Sequence, residues 1–178
     1  MICYERADAL HAQEAKVRAI EGTDGNSLCE YLKGFWEFIF NHKMFNCVYD
    51  IYDDNIELYR ENGMLLRSIP EVEHDVMKIC GAFPDLHVDI EDIFAVPGPD
   101  DTYRVWMRYY FSGTNKGCSI YGKPSGLHLE KEKALNMSAF HVKKIDGEWL
   151  IVLERTMHPC DYMRAVCTGD TSFSSLQL

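Results

Sequence analysis

From Leu28 onward the apolar positions recur with helical period. Leu28, Tyr31, Leu32, Phe35, Trp36, Phe38 and Ile39 cover so much of the circumference that the helix is expected to be buried on more than one side. Ser27 and Glu30 have the spacing of a capping box at its start, and Asn41-His42-Lys43 interrupts it. A second short helix is predicted from Phe45 to Tyr52, with Asp53-Asp54-Asn55 as its stop. Upstream, Ala7 to Ile20 has helical composition and runs into the hinge-like EGTDGN. Downstream, Ile56 and Leu58 before Glu61-Asn62-Gly63-Met64 predict a strand with a tight return. Ser68 and Glu71 form another capping box, opening a helix through Val72, Val76, Ile79 and Cys80 that ends at Gly81.

The period then changes to two. Strands are predicted for Leu86–Val96 and Thr102–Ser112, followed by a hairpin of Lys133–Lys144 and Glu148–Met157 about Ile145-Asp146-Gly147. Helices first and strands afterwards predict an α+β fold, with helices gathered on one face of an antiparallel sheet. Tyr103, Val105, Met107, Tyr109 and Phe111 share one face of their strand, but Trp106 and Tyr110 stand on the other beside Arg104 and Arg108. A sheet covered on one face only would alternate apolar with polar. The second aromatic face predicts a further partner, most simply a second copy of the chain in a homodimer. Between strands and hairpin lies SGTNKGCSIYGKPSG (Ser112–Gly126), whose glycines and Pro124 mark a loop that turns at defined points.

The remaining properties narrow the function. A chain of 178 residues, 47% hydrophobic, is enough for one core. The expected organisation is a helical extension over 1–26, a domain over 27–167 and a flexible polar tail over 168–178. A net charge of −10 without clusters of Lys or Arg argues against nucleic-acid or anionic-membrane partners. No run is long enough to span a membrane, and the N-terminus lacks the order of a secretory signal. The seven cysteines are scattered without CxxC spacing, which predicts reduced thiols in a cytoplasmic protein. Histidines and carboxylates share no metal-ligand spacing, so no metal site is expected. His11, His74, His87 and His128 are expected at the surface, and His42 in a loop.

Several segments, in order, resemble one family. Phe35–Tyr59 (FWEFIFNHKMFNCVYDIYDDNIELY) resembles the helix–break–helix–strand opening of SnoaL-like polyketide cyclases, in which a tryptophan and an asparagine, here Trp36 and Asn41, end the first helix. Phe83-Pro84-Asp85-Leu86, the glycine loop, Phe140-His141-Val142 and Ile145-Asp146-Gly147 resemble later landmarks. The resemblance implies the nuclear transport factor 2-like fold, a cone-shaped α+β barrel whose curved sheet wraps helices around an apolar pocket and often dimerises through its outer face. It implies binding of a small hydrophobic, carbonyl-bearing molecule, with acid/base chemistry as a cyclase, isomerase or lyase that needs no cofactor. The other reading is a non-catalytic ligand-binding or dimerisation module that has lost its catalytic acid.

The departure lies on the last strand. In the family this strand runs Glu–x–Trp and ends in an acid; aligned on Asp146-Gly147, the glutamate and tryptophan fall on Ile151 and Leu153 and the final acid on Met157. Strict alternation puts Trp149, Ile151, Leu153, Arg155 and Met157 on one face and Leu150, Val152, Glu154, Thr156 and His158 on the other. The hairpin is one residue longer than the family's, so a bulge would move Glu154 or His158 inward. These two are the candidate acid/base residues. Asn136 and Ser138 are candidates to orient a carbonyl, and Trp36, Asn41, Tyr49, Tyr52, Trp106, Tyr110, Leu153 and Met157 to line the pocket. An aromatic at such spacing is core more often than ligand wall.

Overall fold

The computed structural model describes residues 2–172; the expected tail therefore lies partly outside the described residues. Among the described residues, five helices stand with a seven-stranded sheet: α1 (Ile2–Arg18), α2 (Gly25–Phe40), α3 (Val48–Ile51), β1 (Tyr52–Arg60), β2 (Leu65–Leu66), α4 (Ile69–Ala82), β3 (His87–Pro97), β4 (Thr102–Thr114), β5 (His128–Leu129), β6 (Leu135–Ile145), β7 (Glu148–Met157) and α5 (Cys160–Thr168). The sheet runs β2-β1-β7-β6-β4-β3, with β5 added to β4. It is curved, unclosed and mixed, because β1 pairs in parallel with β7 while the other pairings are antiparallel. The expected α+β architecture is present.

The helix α2 is the axis of the core. Leu28, Leu32, Phe35, Trp36, Phe38, Ile39 and Phe40 are all buried, on more than one side as the pattern requires. Its cap is Asp24 rather than Ser27. The Asp24 carboxylate accepts from Ser27 N at 2.8 Å, and Ser27 Oγ accepts from Asp24 N at 3.1 Å, so the helix begins one turn earlier than predicted. Asp53 and Asp54 are not a helix stop. They lie within β1, where the register against β7 slips between Tyr52 and Glu57 and Asp53 accepts from Asn55 N at 2.9 Å. The predicted hinge after α1 is anchored: Trp149 Nε1 donates to Glu21 O at 3.2 Å, and Arg18 pairs with Asp50 at 2.8 Å. The helix α5 escaped the sequence reading. No helix among the described residues is long and apolar enough to cross a membrane.

The glycine loop is fastened to the end of α4. Asn115, fully buried, donates through Nδ2 to Ala82 O at 2.8 Å and accepts from Ser125 N at 2.8 Å. A Cβ at Gly117 would stand 1.7 Å from Gly81 O, so only glycine lets the two backbones meet there. These contacts set the loop beside α4 and α5.

Candidate functional site

The hairpin β6–β7 carries the decisive irregularity. His141 pairs with Leu153 but Val142 pairs with Ile151, leaving Val152 without a partner in the ladder. One extra residue reverses the alternation beyond it. Trp149 and Ile151 face inward before the bulge; Glu154, Thr156 and His158 are buried after it, and Met157 is 62% exposed. The position aligned with the family's acid therefore faces away from the interior, and the bulge supplies Glu154 and His158 in its place.

Around Glu154 the interior is polar. Tyr52 donates to one carboxylate oxygen at 2.6 Å, and Thr156 donates to the other, with Ser138 Oγ 3.3 Å from it. Ser138 lies 2.7 Å from Thr156 Oγ1 and 3.3 Å from the Tyr109 hydroxyl. If each hydroxyl donates once, Tyr109 to Ser138 to Thr156 to Glu154, every hydrogen is used and the carboxylate is the terminal acceptor. Burial, and then the nearby Glu154, hold the Tyr52 phenol well above its usual range; burial does the same for Tyr109. Both remain donors.

His158 is held in one tautomer. Arg60 Nη1 lies 2.7 Å from His158 Nε2, and a guanidinium can only donate, so Nε2 carries the lone pair and Nδ1 the hydrogen. Nδ1–H donates to Asn136 Oδ1 at 2.7 Å; the Asn136 amide is oriented by its own bond to Ala134 O at 2.7 Å. Burial, then the Arg60 charge, push the imidazole pKa well below its ordinary 6.5. His158 is neutral, and its lone pair is engaged. Burial pulls the Arg60 pKa down, but Asp75 and Glu154 outweigh it, so the guanidinium stays charged and pairs with Asp75.

Two spaces meet at Arg60 and His158. The inner cavity, walled by Trp36, Ile39, Val72, Tyr109 and Glu154 among others, holds only about 10 Å³, on the order of one water. That inner space is far smaller than a ligand pocket of the kind the resemblance implied. Outside it lies a cleft of about 610 Å³ between α4, the glycine loop and α5, with Met64, Met77, Ile120 and Met163 on its walls and Arg60, Asp75 and His158 at its floor. A second groove of about 600 Å³ lies on the outer sheet face, over Phe94, Trp106, Met137 and Met157. The outer groove also borders Arg60, Ser138 and Thr156, but of the two only the cleft borders Asp75 and His158 as well, which makes it the better candidate site.

The predicted site residues divide between these regions. Glu154, His158, Asn136, Ser138, Tyr52 and Trp36 come together in the interior. Asn41 does not: its side chain grips the β3 backbone, accepting from Val88 N at 2.7 Å and donating to Val88 O at 3.0 Å. Tyr49 is exposed and bonds Glu73 at 3.1 Å. Tyr110 donates to Glu91 at 2.9 Å, and Trp106 stacks on Phe94 with centroids 5.3 Å apart, both outside the interior. Leu153 and Met157 follow Val152 on the β7 face that the bulge turns outward. Arg60, Asp75, Tyr109 and Thr156 are site residues the sequence reading missed. Arg60 ends a strand just before a turn, where a solvated arginine is the ordinary expectation. Among the described residues no cluster of His, Cys, Asp and Glu could hold a metal ion.

No family model matches the sequence, and no curated protein matches it. Solved structures do. A candidate SnoaL-like polyketide cyclase from Jannaschia sp. CCS1 superposes with a TM-score of 0.58 at 13% identity, covering 75% of this chain and 89% of that one. A ketosteroid isomerase-like protein from Erwinia carotovora atroseptica gives a TM-score of 0.54 at 17% identity over 70% of this chain and 87% of that one. A nuclear transport factor 2-like superfamily protein from Salmonella enterica gives 0.60 at 8% identity over 75% and 89%. At such identities the likeness establishes the fold: this chain has the α+β architecture common to those proteins.

Proposed function

We propose that this protein binds a small hydrophobic, carbonyl-bearing molecule in the cleft between α4, the glycine loop and α5. The observation that supports it is the floor of that cleft, where a buried cation, Arg60, stands between apolar walls and a polar interior. A carbonyl oxygen takes a hydrogen bond from a buried guanidinium without bringing a charge. A carboxylate would have to displace Asp75. Stabilisation against heat, screened over aromatic and alicyclic ketones, tests the reading, since a ligand that binds only the native state raises the unfolding midpoint. Met163→Trp, which fills the cleft from α5, is expected to weaken binding at least about tenfold. Equal affinity in both proteins would put the ligand elsewhere.

Turnover of that molecule by cofactor-free acid/base chemistry is the second reading, and the pair of Glu154 and Tyr52 at 2.6 Å favours it. Once the Glu154 carboxylate has taken a proton from the carbon next to a carbonyl, the Tyr52 hydroxyl is released to donate to the developing enolate oxygen. His158 is unsuited to the base role while Arg60 occupies its lone pair. If Glu154 is the base, Glu154→Gln abolishes turnover and leaves the ligand bound. Binding without turnover assigns the protein to the non-catalytic class.

The same proposal pairs two copies through the outer sheet face, where Phe94 is 50% and Met137 48% exposed. An apolar patch of this kind is unusual on a monomer. Light scattering at micromolar concentration reads the outcome directly, and a monomer mass overturns it.

A further inference from the structure

Two donors on the wall of the inner cavity are unspent. Trp36 Nε1–H and Arg60 Nε–H have no hydrogen-bond partner among the described residues, although both atoms are closed to solvent. Trp36 is 3% exposed and the Arg60 side chain 7%, so neither can turn to bulk water. Such groups carry the full cost of desolvation, and native interiors rarely leave them so. Trp36 has no freedom to swing, since its ring is packed against Phe140, Phe40 and Tyr109 with centroids 5.2, 5.8 and 6.3 Å away. Both residues border the same cavity, together with Tyr52, Tyr109 and Glu154.

The chemistry of the missing partner follows from this donor set. Indole and guanidinium nitrogens only donate, so the partner accepts. The cavity of about 10 Å³ admits on the order of one oxygen atom with its hydrogens. Glu154 in the same wall disfavours an anion. We propose that the inner cavity is a built site for a single neutral acceptor oxygen, accepting from Trp36 Nε1–H and Arg60 Nε–H. Two sources share this chemistry: a resident water, or the carbonyl oxygen of a molecule lying in the adjoining cleft. The site adds to the cleft reading and stands without it, because a water satisfies the donors whether or not the cleft is filled.

The test replaces the Trp36 indole by its sulfur isostere, benzothienylalanine, which keeps the ring shape and removes the N–H. If the donor serves an oxygen, the unfolding midpoint falls by about 2–4 °C; if it is an orphan, its removal leaves the midpoint unchanged or raises it. Cross-relaxation from water to the Trp36 indole hydrogen, read by NMR on the unmodified protein, is expected with the sign of a long-lived contact. Addition of 2-tetralone then separates the sources. Transfer of the contact from water to the ketone identifies a ligand oxygen, and an unchanged water contact identifies a resident water; both support the site. An unchanged contact beside a ketone that fails to bind removes the cleft reading alone. Absence of any oxygen contact, with an unchanged or raised midpoint, overturns the proposal.

Discussion

The two ends of the β6–β7 hairpin obey opposite rules. Near the turn, Phe140, Val142, Trp149 and Ile151 are buried while Lys143, Lys144 and Glu148 face water. At the far end Asn136, Ser138, Glu154 and Thr156 are buried, and Leu135, Met137 and Met157 are exposed. The first end is an ordinary amphipathic sheet held by apolar burial. The second is inverted, with polar groups inside and apolar groups outside. Such an inversion costs stability on both faces, and places where a chain departs from its local rules are where function is expected. The inverted end is the one that meets the cleft and the outer groove.

Inserting one alanine between His141 and Val142 attacks the comparison at its origin. The insertion gives Val152 a partner, so strict alternation would run through β7, drive Leu153, Arg155 and Met157 inward and expel Glu154 and Thr156; a loss of about 5 kcal/mol or outright failure to fold is expected in urea titration. Deleting Val152 instead leaves Leu153 next after Ile151 and Glu154 still inward, so it should cost far less. An insertion variant of native stability would show that the bulge does not hold the inversion.

Next in size is Asp75→Ala, which leaves the mostly buried Arg60 without its counter-ion and is expected to cost about 3 kcal/mol. Asp75→Asn, retaining an acceptor, should cost less. Glu154→Gln sharpens the same contrast: Tyr52 and Thr156 lose a charged acceptor, for an expected loss of about 2 kcal/mol. A one-methylene truncation near the turn, such as Ile151→Val, should cost about 1 kcal/mol through packing alone.

The inverted end should also be acid-sensitive. His158 is neutral in the folded protein because its pKa is held below 6.5, and it regains its ordinary pKa on unfolding. Between pH 6.5 and the lower folded value the unfolded chain binds one proton more, so stability falls as the pH is lowered. The slope is about 1.4 kcal/mol per pH unit for this one group, and His158→Gln should remove it. Asp85, held at about 2 by Lys116 and the Thr114 N–H, adds its own loss only as pH falls below its ordinary 3.8. A flat profile from pH 6.5 to about 5 would contradict the neutral, capped imidazole.

The smallest effect on stability belongs to the outer face. Met157→Lys should change folding by no more than about 0.5 kcal/mol, yet convert a dimer to a monomer if the copies pair there. A dimer that survives the substitution excludes this face.

Much of the architecture was legible in the chain itself. Helical period from Leu28, period two from Thr102, and the Asp146-Gly147 turn, where both residues take positive φ, are local properties, so the order of helices and strands and the α+β class could be read from them. The capping of α2 at Asp24 and the bulged Asp53–Asn55 segment of β1 could not, because side-chain caps and β-register depend on which neighbours the backbone meets. The same reason explains the site. Alternation along β7 can be counted, but where it breaks is decided by pairing with β6, and one unpaired residue at Val152 determines whether Glu154 or Met157 faces inward. Arg60 could be read only as a charge at a strand end; its value to the site comes from burial between Asp75, His158 and the cleft, which only the folded chain brings together.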